Sequence, residues 1–264
     1  MRGGGAERLI HPSAIVDAGA DIADGVDIGP FSIIGPEVQI GPGTVIGPHV
    51  VIRGPTRIGC GNRIFQFASV GEDPQDKKYR GEITRLEIGD RNVIREYATL
   101  HRGTLQDKGV TRIGSDNLLM AYTHVAHDCI IGDGVIMANG ASLAGHVTVD
   151  DYAILGGFSL IHQFCRIGRH SFSGMGSVIS RDIPPYVMVG GSPTRPRGIN
   201  NVGMERRGFE PEAILQVKRA FKLIYKSRLK LEEAIESLAA MTELAPEIQP
   251  MVDFLRQSGR SIIR

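Results

Sequence analysis

The sequence contains no tryptophan and only three cysteines in 264 residues. Cys60, Cys129 and Cys165 form no C-x-x-C pair, which argues against a disulfide framework or a structural zinc site. Their small number is typical of reduced residues in a cytosolic protein. The formal net charge is +1, so no overall field favours nucleic acid as a partner.

Long apolar runs are absent as well. No stretch approaches the length of a transmembrane helix, and residues 1–8 lack the apolar centre of a secretory signal. We therefore predict a cytoplasmic protein without a transmembrane segment, in which residues 1–8 are a disordered lead-in.

What is present is a six-residue repeat. Apolar residues recur at every sixth position from Ile28 to Val70, from Ile88 to Leu100 and from Ile113 to Ile167. This period is typical of a parallel β-helix, and neither helical spacing nor strand alternation alone produces it. We predict a mainly β protein with a β-helix over residues 9–189.

The repeat has a simple physical interpretation. Each hexad supplies one short strand and one corner, and three hexads close a triangular coil of about eighteen residues. The apolar residue points inward, so that like positions stack in columns. Glycine often follows it, as at Gly29 and Gly47, and we predict corners whose backbone conformation would strain other residues.

The count breaks at two polar segments, near residues 71–85 and 102–111, which are predicted to be loops. Insertions at solenoid corners often carry function, although surface decoration is the alternative. The first loop is the stronger functional candidate because it is longer and contains the run QDKKY, residues 75–79.

The period changes after residue 189. Residues 190–197 are rich in Gly, Pro and Ser and are predicted to be a linker. Helices are then predicted from Pro211, over about 231–244 and over about 246–257, so that residues 190–264 form a linker and a small α-helical domain. The first helix carries a basic face, which is either solvated or a dock for an acidic partner.

Candidate catalytic residues emerge from the eighteen-residue coil. His127, Gly145 and Gln163 are spaced by eighteen and stack in one column. His146 and His162 are one position from that column, and His124 is three residues before His127. The alternative is a set of surface histidines satisfied by their neighbours.

Asp128 follows His127, and a carboxylate beside a histidine can fix its tautomer and stabilise the imidazolium. Because no serine or cysteine nucleophile motif is present, His127 is predicted to be a general base acting on a substrate hydroxyl. Gly145 is either an ordinary corner glycine or a backbone donor to an oxyanion.

Several segments carry a resemblance to a known family. They are IFQFASVGE at 64–72, IRE at 94–96, HRGT at 101–104, HVAHDC at 124–129, LAGHV at 143–147, VDD at 149–151, IHQFC at 161–165 and RRGF at 206–209. With the helical tail, they resemble the UDP-N-acetylglucosamine O-acyltransferase family over nearly the whole chain.

The resemblance implies a left-handed coil and a homotrimer with active sites between subunits. The family moves an (R)-3-hydroxyacyl group from acyl carrier protein to the 3-hydroxyl of UDP-N-acetylglucosamine, the first step of lipid A biosynthesis, without a metal or bound cofactor. By resemblance, His127 is the base, Asp128 supports it and Gly145 binds the oxyanion. The implied substrate contacts are Gln75, Asp76, Lys78, His124, His146, His162, Gln163, Asn200, Arg206 and Arg207.

Two positions depart from the family's pattern. Val202 stands where some members of the family have a glutamate near the nucleotide, and Met175 stands where some have a glycine at the floor of the acyl groove. Each methylene that Met175 excludes forfeits about 0.8 kcal/mol of burial. We therefore predict a preference for a shorter chain, such as 3-hydroxydecanoyl, unless the adaptable methionine bends aside.

Three other functions are possible. A sibling N-acyltransferase shares the repeat, but it normally has an extra N-terminal domain. A zinc trimer resembling carbonic anhydrase would need three histidine ligands, and His124 and His127 do not have the usual H-x4-H spacing. A purely structural solenoid would have no reason to cluster histidines beside a lysine-rich loop.

Overall fold

The computed structural model describes residues 9–257 and 261–264. The predicted disordered lead-in, residues 1–8, lies outside the described residues. Within the described part of the chain there are 28 short strands, of which the first 27 build a left-handed parallel β-helix, and four α-helices follow the last strand. The fold class predicted from the six-residue repeat is confirmed.

The prism has three sheets, named here faces A, B and C, which the chain visits in that order. Face A contains β1 (Leu9–Ile10), β4 (Asp27–Ile28), β7 (Val45–Ile46), β10 (Arg63–Ile64), β13 (Val93–Ile94), β16 (Leu118–Leu119), β19 (Ile136–Met137), β22 (Ile154–Leu155), β25 (Phe172–Ser173), β27 (Val187–Gly190) and β28 (Arg195–Ile199). Face B contains β2 (Ile15–Val16), β5 (Ile33–Ile34), β8 (Val51–Ile52), β11 (Ser69–Glu72), β14 (Thr99–His101), β17 (His124–Val125), β20 (Ser142–Leu143), β23 (Leu160–Ile161) and β26 (Val178–Ile179). Face C contains β3 (Asp21–Ile22), β6 (Val38–Ile40), β9 (Thr56–Ile58), β12 (Arg85–Ile88), β15 (Val110–Ile113), β18 (Ile130–Ile131), β21 (Thr148–Val149) and β24 (Arg166–Ile167).

The strand register stacks the repeat on itself. Ile28 lies beside Ile46, and Ile46 lies beside Ile64, all on parallel strands of face A. All three side chains are buried, and each contributes roughly 1.5–3 kcal/mol of hydrophobic stabilisation. Because every coil pairs only with its two neighbours, the core is a continuous stack of thin apolar layers.

The corners differ from the prediction. Among the described residues, fifteen that are not glycine adopt positive φ, including Phe31 and Tyr122 on the A/B corner. Among the glycines that follow the apolar repeat residues, Gly71 also has positive φ, whereas others such as Gly29 and Gly47 do not. A Cβ on Gly29 would lie 2.8 Å from the carbonyl carbon of Gly47. These glycines are therefore needed because successive coils approach closely, rather than for their conformational freedom.

Both loops leave the prism at the B/C corner. The first, residues 73–84, joins β11 of face B to β12 of face C, and the second, residues 102–109, joins β14 to β15. This corner is the one at which His127 lies between β17 and β18. The two insertions and the histidine column therefore share one edge of the molecule.

The segment predicted to be a linker is instead structured. Strands β27 and β28 pair antiparallel, and β27 also pairs parallel with β25, so the hairpin extends face A. The prediction of a linker over 190–197 was wrong, because Gly and Pro here form a tight hairpin that has a sheet edge to pair with. The next element, α1 (Asn201–Arg206), is a short helix that the sequence analysis missed.

The remaining helices pack as a small unit. Helix α2 (Pro211–Tyr225) begins at the proline predicted to open it, and α3 is Leu231–Met241. The third predicted helix divides into a 3-10 turn (Pro246–Ile248) and α4 (Gln249–Gln257). No helix in the described ranges is long and apolar enough to cross a membrane.

Candidate active site

His127 and Asp128 form a hydrogen-bonded pair at the B/C corner. The distance from His127 Nδ1 to Asp128 Oδ2 is 2.9 Å. The His127 side chain is 13% exposed and that of Asp128 is 0% exposed. A carboxylate on Nδ1 fixes the imidazole with Nε2 available to accept a proton. The geometry therefore suits a general base.

The Asp128 carboxylate is held on both oxygens. Thr104 N donates to Oδ1 at 2.9 Å, and Thr104 Oγ1 donates to Oδ2 at 2.6 Å. Burial acts to raise the pKa of Asp128, but the hydrogen bonds from His127 and Thr104 outweigh it, so this pKa lies below its ordinary value. Asp128 is therefore an anion at neutral pH.

Gly145 lies directly against His127. A Cβ on Gly145 would meet His127 Cε1 at 2.6 Å and Nε2 at 2.8 Å. The imidazole thus occupies the space that any other side chain at position 145 would need. The Gly145 N–H has no hydrogen-bond acceptor among the described residues, so it can point at a ligand beside Nε2.

His146 completes a cluster with the pair. Its ring lies edge-on to that of His127, with centroids 5.1 Å apart, and its Nδ1 is 3.0 Å from Asp107 Oδ2 in the second loop. Ligand-type atoms of His127, Asp128 and His146 lie within 4.8 Å of one another. In this arrangement His127 hydrogen-bonds to Asp128, Asp128 accepts hydrogen bonds from Thr104, and His146 hydrogen-bonds to Asp107.

Face B carries other residues that were predicted to contact the substrate near His127. His124 and His162 line a shallow pocket of about 430 Å³ with Ser142, Leu160 and Val178. The lining is mostly apolar, so this groove suits an acyl chain. Gln163 lies next to His162 at the B/C corner and is exposed. Met175 lies at the neighbouring A/B corner, 81% exposed.

His101 lies beside these residues and was not predicted to be a site residue. Its ring lies edge-on to His124, with centroids 5.2 Å apart, and its Nδ1 is 2.7 Å from the Asp73 carbonyl oxygen. Burial, with smaller effects of His101 and His127, lowers the pKa of His124 to about 4, so its ring is neutral at pH 7. His101 was missed because the spacing between coils changes at the insertion; its place in the HRGT segment was the available signal.

The first loop brings Gln75, Asp76 and Lys78 to the same corner. Gln75 and Lys78 are exposed, while Asp76 is partly buried and its Oδ1 accepts a hydrogen bond from Lys78 N at 2.9 Å. The described residues show no hydrogen bond or ion pair between these three and His127. They lie on the predicted edge, with side chains available to a substrate.

The remaining predicted contacts lie elsewhere in the chain. Arg206, Arg207 and Val202 line a pocket of about 580 Å³ on face A, beside the C/A corner. Asn200 also lines it, but its amide caps α1 through Gly203 N and donates to the His170 carbonyl oxygen at 3.0 Å. Asn200 therefore has a structural role in addition to its place in the lining.

Rings shape one wall of this pocket. The Arg207 guanidinium carbon lies 4.3 Å from the centre of the Tyr152 ring, and Tyr152 stacks on His170 at 4.9 Å. Burial lowers the pKa of His170 to about 4, with smaller effects of Arg169 and Arg207. The pocket thus combines aromatic surfaces with two exposed guanidinium groups, which suits an anionic ligand with a planar part. Tyr152 and His170 were not predicted, because they lie at the C/A corner, outside the column that contains His127.

Two family models match different parts of this chain. Residues 19–54 and 111–145 match the family described as bacterial transferase hexapeptide (six repeats). Residues 182–263 match UDP N-acetylglucosamine O-acyltransferase, domain 2. The fold and site thus define a hexapeptide-repeat acyltransferase.

Relatives over the full length identify the family. The acyl-[acyl-carrier-protein]--UDP-N-acetylglucosamine O-acyltransferase of Thiobacillus denitrificans is 56% identical over 255 residues, 97% of this chain and 99% of the relative. Among solved structures, UDP-N-acetylglucosamine O-acyltransferase from Moraxella catarrhalis is 47% identical with a TM-score of 0.95, and covers 97% of this chain and 99% of its own. The Francisella novicida UDP-N-acetylglucosamine acyltransferase is 44% identical with a TM-score of 0.95, covering 97% and 94%. The chain belongs to the acyl-[acyl-carrier-protein]--UDP-N-acetylglucosamine O-acyltransferase family, and it is an enzyme of lipid A biosynthesis.

Proposed function

We propose that the enzyme transfers an (R)-3-hydroxyacyl group from acyl carrier protein to the 3-hydroxyl of UDP-N-acetylglucosamine in the cytoplasm. The names of the relatives supply the two substrates. The observation that carries the proposal is the arrangement of two half-sites. One has a base beside an apolar groove, and the other has two arginines beside stacked rings.

His127 is the proposed base. Its Nε2 takes the proton of the sugar 3-hydroxyl while that oxygen attacks the thioester carbonyl carbon. The carbonyl oxygen becomes an oxyanion, to which the Gly145 N–H donates. When the C–S bond breaks, the carrier thiolate leaves and takes the proton from His127. Asp128 stabilises the transient imidazolium from 2.9 Å away.

The two half-sites act together only in a trimer. His127 and its neighbours lie at the B/C corner, whereas Arg206 and Arg207 lie beside the C/A corner, and face C separates them. If face A of one subunit faces face B of the next around a threefold axis, these two corners meet in one cleft. Each cleft would then hold a sugar nucleotide between a base and a pair of arginines from different copies.

The polarity of the faces supports this packing. Several outward positions are apolar on face A, as at Leu118 and Ile154, and on face B, as at Leu160, although both faces also carry polar residues. Face C instead presents a charged ladder in which Glu87 pairs with Arg112 at 2.8 Å. Contact between apolar faces stabilises an oligomer, whereas the charged face remains hydrated.

Substrate contacts are assigned by position. In our proposal the nucleotide diphosphate binds Arg206 and Arg207, because planar guanidinium groups donate two hydrogen bonds at once. Val202 lines the same pocket and is exposed, and its side chain can offer no polar contact to the nucleotide. The groups that we assign to the sugar and the thioester are Gln75, Asp76, Lys78, His124, His146, His162 and Gln163.

We assign the acyl chain to the apolar groove of face B. Met175 is exposed at the A/B corner, the edge of face B opposite His127, so in our proposal its side chain closes the far end of the groove and shortens it. Each methylene of a longer chain left in water loses about 0.8 kcal/mol of burial. A 3-hydroxydecanoyl donor is therefore favoured over a 3-hydroxymyristoyl donor.

The carrier protein would dock on the basic face of α2. Lys218, Arg219, Lys222 and Lys226 are all exposed on this helix and its C-cap. Complementary charge would accelerate the encounter with an acidic carrier.

An acyl-transfer assay tests the proposal. Purified enzyme is incubated with UDP-N-acetylglucosamine and carrier-bound 3-hydroxyacyl donors of graded length, and the product is analysed for an ester at the sugar 3-position. Transfer to oxygen supports the proposal. No transfer from any donor, or acylation of an amine acceptor alone, would overturn it, and metal analysis of the active enzyme separates it from a zinc-dependent hydrase.

A further inference from the structure

The segment HRGT, residues 101–104, has no role in the mechanism above, yet its side chains reach two parts of the site. Residue 101 ends β14, which lies between β11 and β17 on face B. The first loop begins after β11, and the catalytic pair follows β17. Residues 101–104 therefore lie one coil from each of these two features.

Arg102 is the contact to the first loop. Its guanidinium group is buried, with the side chain only 8% exposed. It donates to the Gly54 and Gly71 carbonyl oxygens at 3.0 and 2.7 Å, to the Asp73 carboxylate and to the Tyr79 hydroxyl at 3.1 Å. A buried cation with this many partners holds them in one geometry, because releasing a neutral oxygen leaves a buried donor unpaired and releasing Asp73 leaves the charge unpaired. Residues 73 and 79 flank Gln75, Asp76 and Lys78.

Thr104 is the contact to the catalytic pair. Its N–H and hydroxyl bind the two oxygens of Asp128 at 2.9 and 2.6 Å. The Asp128 side chain is fully buried, so no solvent can replace these donors. Without the Thr104 hydroxyl, the Asp128 carboxylate can rotate about its Cβ–Cγ bond and lose its alignment with His127 Nδ1.

Gly103 makes this double contact possible. A Cβ on Gly103 would lie 2.2 Å from Val110 N and 2.6 Å from the carbonyl carbon of Gly109. The two ends of the second loop therefore cross at position 103. This crossing allows residues 102 and 104 to point to different neighbouring coils.

We propose that residues 101–104 are a brace for the reaction assigned above, with Thr104 as the positioning residue of the His127–Asp128 pair and Arg102 as the positioning residue of loop 73–84. Neither touches substrate. The inference rests on the proposed function, because the loop is given a role in sugar binding there. The brace links the sugar-binding loop to the base through four consecutive residues.

The Thr104 arm is tested with Thr104→Val, which has the same shape without the hydroxyl, and Thr104→Ser, which keeps it. We expect Thr104→Val to lower kcat about tenfold, about 1.4 kcal/mol in the barrier, with KM for UDP-N-acetylglucosamine within twofold of wild type. Thr104→Ser should restore kcat to within twofold. Thr44→Val is the matched control, since Thr44 is a buried threonine with hydrogen bonds to Gly59 and Asn62 far from the B/C corner.

A double-mutant cycle distinguishes positioning from stability. If Thr104 acts through Asp128, Thr104→Val should have little further effect on kcat in an Asp128→Asn background. Additive losses would overturn this arm. So would a Thr104→Val enzyme whose melting temperature falls while the kcat of the folded trimer stays unchanged.

The Arg102 arm predicts the opposite kinetic signature. Arg102→Lys keeps the charge but loses the planar set of donors, and we expect KM for UDP-N-acetylglucosamine to rise at least tenfold with kcat changed less than threefold. Tyr79→Phe is the milder variant, in case Arg102→Lys does not fold, and should raise KM about threefold. Arg112→Lys, on the exposed charged ladder of face C, is the control.

An unchanged KM for UDP-N-acetylglucosamine in both Arg102→Lys and Tyr79→Phe would overturn the proposed role of Arg102. The outcomes also separate this inference from the proposed function. If the wild-type enzyme shows no acyl transfer, the proposed function is wrong. If the wild type is active and the Thr104 and Arg102 variants keep its kcat and KM, only the proposed brace is wrong.

Discussion

Substituting alanine for Gly145 tests the position of the catalytic base directly. The added methyl group would lie 2.6 Å from His127 Cε1 and 2.8 Å from Nε2. Ordinary carbon contacts are about 3.5–4.0 Å, so the imidazole must move by about 1 Å. The backbone at position 145 has no positive φ, so alanine adds no conformational strain there. The N–H of residue 145 also remains.

The magnitude follows from this displacement. A misplacement of about 1 Å in a reacting group costs about 10²-fold in rate. We therefore expect Gly145→Ala to lower kcat about a hundredfold in steady-state acyl-transfer assays, with an intact trimer by size-exclusion chromatography. Because the His127 side chain is only 13% exposed, its displacement should also lower the melting temperature, so kcat is measured per folded trimer.

The matched control is Gly35→Ala. Its methyl group would lie 3.4 Å from the Ile52 carbonyl oxygen, an ordinary contact, in the same type of coil. This variant should keep nearly full activity. A Gly145→Ala enzyme with a kcat within threefold of wild type would refute the reasoning, because His127 could then leave its observed position without affecting the reaction.

Three further predictions concern single side chains. His127→Ala should keep the trimer but lose several powers of ten in single-turnover rate, since both the base and its orientation are removed; a near-normal rate would exclude His127 from the role. Met175→Gly should shift preference towards longer 3-hydroxyacyl donors, measured as the ratio of kcat/KM for two chain lengths, and an unchanged ratio would remove Met175 from chain-length selection. The third prediction concerns stability. The pKa of His124 is lowered from 6.5 to about 4, so between these values the unfolded chain binds more protons and stability rises with pH. His124→Gln should therefore flatten the pH dependence of the unfolding free energy between pH 4 and 6.5, and an unchanged slope in denaturant titrations would contradict this.

Much of the prism was predictable because its information is local. Within an uninterrupted run of hexads, position in the period determines whether a side chain points inward or outward. This is why His127, Gly145 and His146 could be placed on one edge from their spacing alone. The same argument failed at position 101, where the insertions change the distance between coils.

The C-terminal segment was less predictable. Residues 190–197 have the composition of a linker, but β27 and β28 pair because the end of face A offers a free edge. The Asn200 cap followed by residues 201–206 was a usable helix signal. It was overlooked because a six-residue helix is too short to show an apolar period.

The sequence by itself determined the coil and which side chains point inward or outward, because a strict period encodes them. A few adjacent motifs also predicted His127 as the base. Only the tertiary structure decided that Thr104 holds Asp128 and that the arginines lie on a different edge from the histidines. The contacts that an inserted loop makes with neighbouring coils depend on the path of its backbone between the two strands that it joins. That path is set by packing and hydrogen bonding between residues distant in sequence, which no local pattern records.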